Sequence, residues 1–271
     1  MAKYVSTERC KAMLKWMIAA VLLAGCSSGG GETQEPIIEY TPTTTVVDTR
    51  DAVILAIGQS NMSNTGSGFY YVASNDVKRI DSNYNAVLAE SPVLENNLAD
   101  ANGGSFLPLL GDLLIEGDKL ESVTYANVAV GGTCIIQWTP DYVQSYFNKI
   151  REVARQDLDF THIIFHQGEC DTADWKNTSI SDYKARFLKM LQGIRDLGID
   201  VPIYVARTSY VFGVVDPRII QAHNELIEEY SDVLQGPYTD VMGAEYRHDD
   251  AHFNERGLIR HAEMWYEALT Q

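Results

Sequence analysis

Four short segments of this chain carry residue types suited to nucleophilic chemistry. The first is Gly58-Gln59-Ser60-Asn61-Met62, directly after an apolar run. A serine at the tip of a strand-to-loop turn can project its hydroxyl above a sheet, and the preceding glycine permits a tight turn. The second Gly of a G-x-S-x-G elbow is replaced by Met62, so the segment is not that motif. The second segment, Asn127 to Thr133, contains Gly131-Gly132, whose backbone N–H groups can approach a ligand closely. The third, His166-Gln167-Gly168-Glu169, sets polar groups at the end of an apolar run, where a side-chain amide can donate to a developing oxyanion. The fourth is His248-Asp249-Asp250-Ala251-His252-Phe253. An Asp and a His three residues apart can supply a base and the carboxylate that orients it. Taken singly, each segment has a plain structural alternative: a helix cap, a turn, a satisfied polar network, a surface charge cluster. His162, His166, His223, His248 and His261 are scattered without metal-ligand spacing, so neither metal nor cofactor is expected.

The elements that must position these segments alternate. Ala52–Ile57, Val123–Val130, His162–Phe165 and Ile203–Ala206 are apolar runs of the kind buried on both faces of a sheet. Between them, apolar residues recur at helical spacing: Val143, Tyr146, Phe147, Ile150 and Val153, then Tyr183, Phe187, Met190, Leu191 and Ile194. Asp216-Pro217 reads as a cap and first turn, and Asn254 as the cap of a last helix. Strands alternating with helices predict an α/β fold, a mostly parallel sheet with helices on both faces. In such folds chemistry sits at the carboxyl ends of strands, where three of the four segments fall.

The chain has 271 residues, 45% hydrophobic and 21% charged, proportions that exclude collagen, coiled coil and whole-chain disorder. A net charge of −16 argues against nucleic acid as a partner and against adhesion to anionic lipid. Lys3, Arg9, Lys11 and Lys15 precede a short apolar run, Met17 to Gly25. That run is too short to span a bilayer, which takes about 20 residues, and reads as a secretory signal. It ends Leu23-Ala24-Gly25-Cys26, which resembles a bacterial lipobox and implies cleavage before a lipidated Cys26. The expected organisation is a leader over 1–25, a flexible lipidated tether over 26–50 and a catalytic domain over 51–271. The protein is expected to be exported, meeting a membrane only through its lipid; Ser27 points to the outer membrane in a Gram-negative cell.

Together the segments are far more specific than apart. Their order and spacing resemble the SGNH hydrolase superfamily, in its sialate O-acetylesterase-like and carbohydrate esterase family 6 branch. The blocks GQSNM, GGT, QGE and D-x-x-H stand here as Gly58–Met62, Gly131–Thr133, Gln167–Glu169 and Asp249–His252. The resemblance covers roughly residues 50–270. It implies a three-layer flavodoxin-like fold and a serine esterase that removes O-acetyl groups from carbohydrates. By position, Ser60 matches the nucleophile, His252 the base and Asp249 its orienting carboxylate, with Asp250 as a competitor. Ser60 and Gly132 match backbone oxyanion donors, and Gln167 takes the place where many relatives carry Asn. Gln59, Asn61 and Glu169 belong to the same blocks and are expected to line the substrate site.

Trp138 and Trp175 follow the second and third blocks and are candidates to stack on sugar faces. A catalytically silent glycan-binding lipoprotein and a lipid-directed esterase of the same superfamily are the competing readings. The intact Ser60, Asp249 and His252 argue against the first, and the polar stretch 62–104 against the second. Cys134 and Cys170 each follow a block directly, where the family often has Ser. If the two loops leave neighbouring strands, about 4.8 Å apart, a disulfide between them is geometrically feasible in an oxidising compartment.

Overall fold

The structure, a computed structural model, describes residues 40–42, 49–93, 96–172 and 175–271. The expected leader, Cys26 and most of the expected tether lie outside the described residues.

The apolar runs become the centre of a sheet. β1 (Asp51–Gly58) pairs in parallel with β6 (Ser122–Asn127) on one side and β7 (His162–His166) on the other. Beyond β7 follow β8 (Ile203–Arg207) and β9 (Val233–Tyr238), both parallel. The far edge is a hairpin of β3 (Val77–Ile80) and β4 (Ala86–Leu88), the one antiparallel pair in this sheet. The full order is β4-β3-β6-β1-β7-β8-β9. A separate ribbon joins β2 (Tyr71–Val72) to β5 (Glu90–Ser91). Setting the edge hairpin aside, the five remaining strands run in the flavodoxin-like order 2-1-3-4-5. The connection reverses direction at β1, and the crevice at such a switch point is where ligands bind in these folds.

Side chains alternate across β1, and each half finds its own layer. Leu55 and Ile57 pack with α2 (Phe147–Ala154), α3 (Ile180–Asp196) and α4 (Pro217–Glu229), through Phe147, Phe187 and Leu226. Ile54 and Ala56 pack on the other side with α1 (Leu107–Glu116) and α5 (Glu255–Leu269), through Leu110, Leu258 and Trp265. A sheet covered on both faces explains why its strands read as continuous apolar runs. The caps follow the sequence. Asp216 accepts the Arg218 N–H ahead of α4, and Asn254 accepts the Gly257 N–H ahead of α5.

The structure differs from the sequence expectation in several places, the strands β2 to β5 and β9 among them. The pattern beginning at Val143 starts too early: Val143 is 92% exposed, and α2 opens only at Phe147. α1 was not anticipated, because LPLLGDLLIE is apolar on nearly every face, and its Gly111 seats against Val77, which would meet a Cβ at 2.4 Å. Tyr40, inside the segment expected to be a tether, is buried. Its hydroxyl donates to Asp232, which also pairs with the Arg195 guanidinium at 2.9 Å, and its ring meets Tyr230 edge-on. The folded unit therefore extends upstream of residue 50.

Tyr40→Ala removes that ring and hydroxyl from the intact chain and should lower the free energy of unfolding by about 2–3 kcal/mol. A urea midpoint unchanged from wild type would show that Tyr40 contributes nothing to the domain.

Candidate active site

Three loops leave the carboxyl ends of β6, β1 and β7 and meet above the sheet. At the end of β1, Gly58 has φ +150°, and a Cβ there would lie 2.0 Å from the His166 carbonyl oxygen. Only glycine lets β1 and β7 run this close. The Gln59 N–H donates to that same carbonyl at 3.0 Å. The chain then turns tightly, with Met62 and Ser63 N–H groups both donating to the Gln59 carbonyl. Ser60 sits at the tip. Its carbonyl accepts from the Thr65 hydroxyl at 2.6 Å, while its own hydroxyl makes no hydrogen bond among the described residues.

Gly131 and Gly132 arrive beside it from β6. A Cβ on Gly131 would lie 3.9 Å from that of Ser60. The Gly131 N–H is occupied by the Asp100 carboxylate, both of whose oxygens lie at 3.0 Å. Gly132 has φ +69°, is exposed and has open space where a side chain would project. Among the described residues neither the Ser60 N–H nor the Gly132 N–H has a partner. Two unpaired donors on adjacent turns are what an oxyanion requires.

The fourth loop precedes α5. His252 Nδ1 lies 2.6 Å from Asp249 Oδ2, while Asp249 Oδ1 accepts the backbone N–H groups of His252 and Ala251 at 2.7 and 3.0 Å. Burial would raise the Asp249 carboxyl, but the His252 ring and N–H more than offset it and hold the group well below the usual carboxylate range. A charged Asp249 on Nδ1 leaves Nε2 of His252 as the free basic nitrogen. Asp250 faces elsewhere: its Oδ1 accepts from the Tyr210 hydroxyl at 2.7 Å. Asn61 ties this loop to the serine turn. Its Nδ2 donates to the Ala251 carbonyl at 3.2 Å and its Oδ1 accepts the Phe253 N–H at 3.3 Å, the two residues flanking His252. His248, Asp249 and His252 also bring one potential ligand atom each within 4.8 Å of one another, a grouping that residue spacing did not suggest.

Several residues expected to contact substrate do other work. Gln167 is fully buried, and its Nε2 donates to Asp171 at 2.7 Å, with the Thr133 carbonyl at 3.1 Å and Gln59 Oε1 at 3.2 Å. With no exposed surface and three acceptors already in place, it is no oxyanion donor. Gln59 Oε1 accepts the Cys170 N–H at 3.1 Å and holds the β7 loop against the serine turn. Asn61 and Glu169 are buried and bonded to each other at 3.0 Å. Trp138 is also fully buried and donates to Thr133 Oγ1, so it is core and not a sugar platform. These polar side chains serve to join loops, a role that polarity at a strand end does not distinguish from ligand binding. Trp175 is partly exposed and stacks with Phe212 at 6.0 Å.

Sequence reasoning passed over Asp100, Asp171 and Arg247. Asp171 is buried and accepts from Ile135 N–H, Gln167 and Thr178; burial raises its carboxyl above the ordinary value. Arg247 is buried between the Tyr210 and Phe253 rings and donates to the Ala251 carbonyl at 2.5 Å. Asp171 lies two residues after the third segment and Arg247 directly precedes the fourth, the one signal that pointed to them.

Cys134 and Cys170 form a disulfide, with Cα atoms 4.9 Å apart. Contrary to expectation, their loops do not leave neighbouring strands, because β1 lies between β6 and β7. The bridge passes beyond the end of β1, where the two loops converge.

The strand order, and a site spread over the ends of its central strands, are those of the SGNH hydrolase fold. The chain belongs to the family described as carbohydrate esterase, sialic acid-specific acetylesterase, whose model matches residues 50–271. No curated protein matches the sequence. Among solved structures, a protein of Arabidopsis thaliana is 16% identical, with a TM-score of 0.63, over 81% of this chain and 97% of that one. Axe2, an acetylxylan esterase from Geobacillus stearothermophilus, is 12% identical, with a TM-score of 0.50, over 82% of this chain and 96% of its own.

Replacing both cysteines by serine should cost about 3–4 kcal/mol of stability, the chain-entropy value for a separation of 36 residues. The same fall in urea midpoint should appear when the wild type is reduced. A shift under about 1 kcal/mol would show that the loops hold each other without the bond.

Proposed function

We propose that the protein is a serine esterase that removes O-acetyl groups from carbohydrates through an acetyl-enzyme. The observation that carries this reading is the Asp249–His252 pair, tied through Asn61 to the turn of Ser60 beside two unpaired backbone donors. Membership of a carbohydrate esterase family supports the same reaction class.

Ser60 Oγ attacks the acetyl carbonyl carbon while its proton passes to His252 Nε2. The carbonyl oxygen takes the negative charge and accepts from the Ser60 and Gly132 N–H groups. Loss of one such donor typically costs about 10²–10³ in turnover. Asp249 accepts from Nδ1–H and stabilises the imidazolium. The intermediate collapses, the C–O bond to the sugar breaks, and His252 returns the proton to the departing sugar oxygen. Water then attacks the acetyl-Ser60 carbonyl, giving its proton to His252. Acetate leaves and the Ser60 hydroxyl is restored.

Trp175 and Phe212, both partly exposed, offer a face on which a sugar ring can stack. The basic, short apolar leader ending at Cys26 supports export and lipid anchoring to the bacterial envelope.

Ser60→Ala should abolish acetate release from acetylated xylan, acetylated sialic acid and aryl acetates while leaving the thermal midpoint within a few degrees. Retention of more than a few per cent of wild-type rate by the folded variant refutes the nucleophile. Asp249→Asn should lower kcat by about 10²–10⁴, by analogy with loss of the orienting carboxylate in other triads. Asp250→Asn should stay within about tenfold of wild type, since its carboxylate bonds Tyr210 and not His252. Equal losses in steady-state assays would overturn the assignment of Asp249.

A further inference from the structure

Behind the serine turn, inside the protein, lies a chain of polar groups that the reaction does not touch. It begins at Trp265 on α5. The indole N–H can only donate, and it points to His261 Nε2 at 2.9 Å. That nitrogen is therefore the bare one of His261, and burial keeps the ring neutral, well below the ordinary histidine range. His166 Nδ1 lies 3.1 Å from the same nitrogen. Two bare nitrogens cannot share that contact, so His166 Nδ1 carries a proton.

The other nitrogen of His166, Nε2, lies 3.4 Å from Glu169 Oε1, with both side chains buried. This distance is longer than a good hydrogen bond, and Nε2 has no other partner among the described residues. A bare Nε2 facing a bare carboxylate would oppose two electron pairs in a place without water, at a large cost. Glu169 Oε1 also accepts from Asn61 Nδ2 at 3.0 Å, and the Arg247 guanidinium lies close enough to interact with the carboxylate. Both favour the charged form of Glu169.

We propose that His166 and Glu169 form a buried imidazolium–carboxylate pair whose purpose is to fix Asn61, and through Asn61 the position of His252. Glu169 is then a positioning residue. Its carboxylate is acceptor-only, so it locks the amide of Asn61 with Nδ2 inward. In that orientation the same amide meets the Ala251 carbonyl and the Phe253 N–H, gripping the backbone on both sides of His252. Burial would raise the Glu169 carboxyl, yet the His166 side chain and the Asn61 amide hold it below its ordinary value. The pair accounts for ionisable groups in the deepest part of the molecule, where an unpaired charge would not survive. It also accounts for Asn beside the serine, since only a short amide both donates to Glu169 and accepts from Phe253. The inference rests on the esterase reading for its kinetic consequence, but the protonation state stands apart from it.

Two measurements on the purified protein test the proposal. The first is the ¹⁵N NMR spectrum of the histidine rings at neutral pH, with His166 identified from through-bond backbone correlations. Both ring nitrogens of His166 should be protonated, and Glu169→Gln should leave His166 with one. A His166 singly protonated in the wild type overturns the ion pair. The second is a double-mutant cycle on acetate release. Glu169→Gln and Asn61→Ala should each lower kcat by about 10–100-fold, the scale of a misplaced catalytic group, with KM within about twofold. The double variant should be no worse than the poorer single one, because both act through one amide. Glu169→Gln within twofold of wild-type kcat, or losses that multiply in the double variant, refute positioning through Asn61. Thermal midpoints of the three variants separate lost placement from lost folding, since unfolded protein lowers the apparent kcat and leaves KM unchanged. A wild type that releases no acetate from any ester refutes the esterase reading instead, and the NMR result still decides the pair.

Discussion

The contact between Gly58 and His166 is the constraint on which the site depends. In the register of the β1–β7 pair these two residues stand opposite each other, and no side chain fits between them. The Gln59 N–H closes on the His166 carbonyl one step later. Two chains therefore leave the sheet level and touching. The turn that carries Ser60 is pressed against the turn that carries Gln167 to Cys170, and Gln59 can reach the Cys170 N–H. Gly131 comes alongside because β6 flanks β1 on the other side. A switch point in the strand order supplies the crevice, and a missing Cβ makes it narrow enough for three loops to share hydrogen bonds.

The interior of the site is polar, and its polarity is spent on itself. Gln59, Asn61, Gln167, Glu169 and Asp171 all lie below the surface, each with partners from a different loop. Buried polar groups are tolerable when bonded, and a network of them fixes geometry more tightly than apolar packing. Left without a partner among the described residues are the Ser60 hydroxyl and the N–H groups of Ser60 and Gly132, while the ring of His252 is half-buried. The motif blocks are thus mostly scaffold, and few of their polar groups are left without a partner.

Much of this was legible in the sequence because burial on both faces writes a strong signal. β1, β6, β7 and β8 announced themselves as apolar runs, and Asp216 and Asn254 capped the helices their positions predicted. α1 was hidden by its apolar composition and β2 to β5 by their brevity. Val143 matched a helical period yet stands in water ahead of α2, since periodicity does not mark where a helix begins. At the site, the pairing of Asp249 with His252, over its competitor Asp250, followed from the resemblance to the family's D-x-x-H block. The direction of a side chain did not. Gln167 and Trp138 sit where ligand-binding residues also sit, and only tertiary contacts reveal that they face inward. Tyr40 carried no signal, because one aromatic in a polar segment is no pattern.

The disulfide joins the loops of two strands that do not touch. β6 and β7 lie one strand apart, and the bond between Cys134 and Cys170 spans the end of the strand between them. A separation of 4.9 Å between their Cα atoms depends on β1 being seated, with both loops folded over its end. The bond is therefore a covalent record of strand order. In a mass spectrum of the digested, unreduced protein, one cross-linked peptide pair would report that three strands, and not two, had come together in the right sequence.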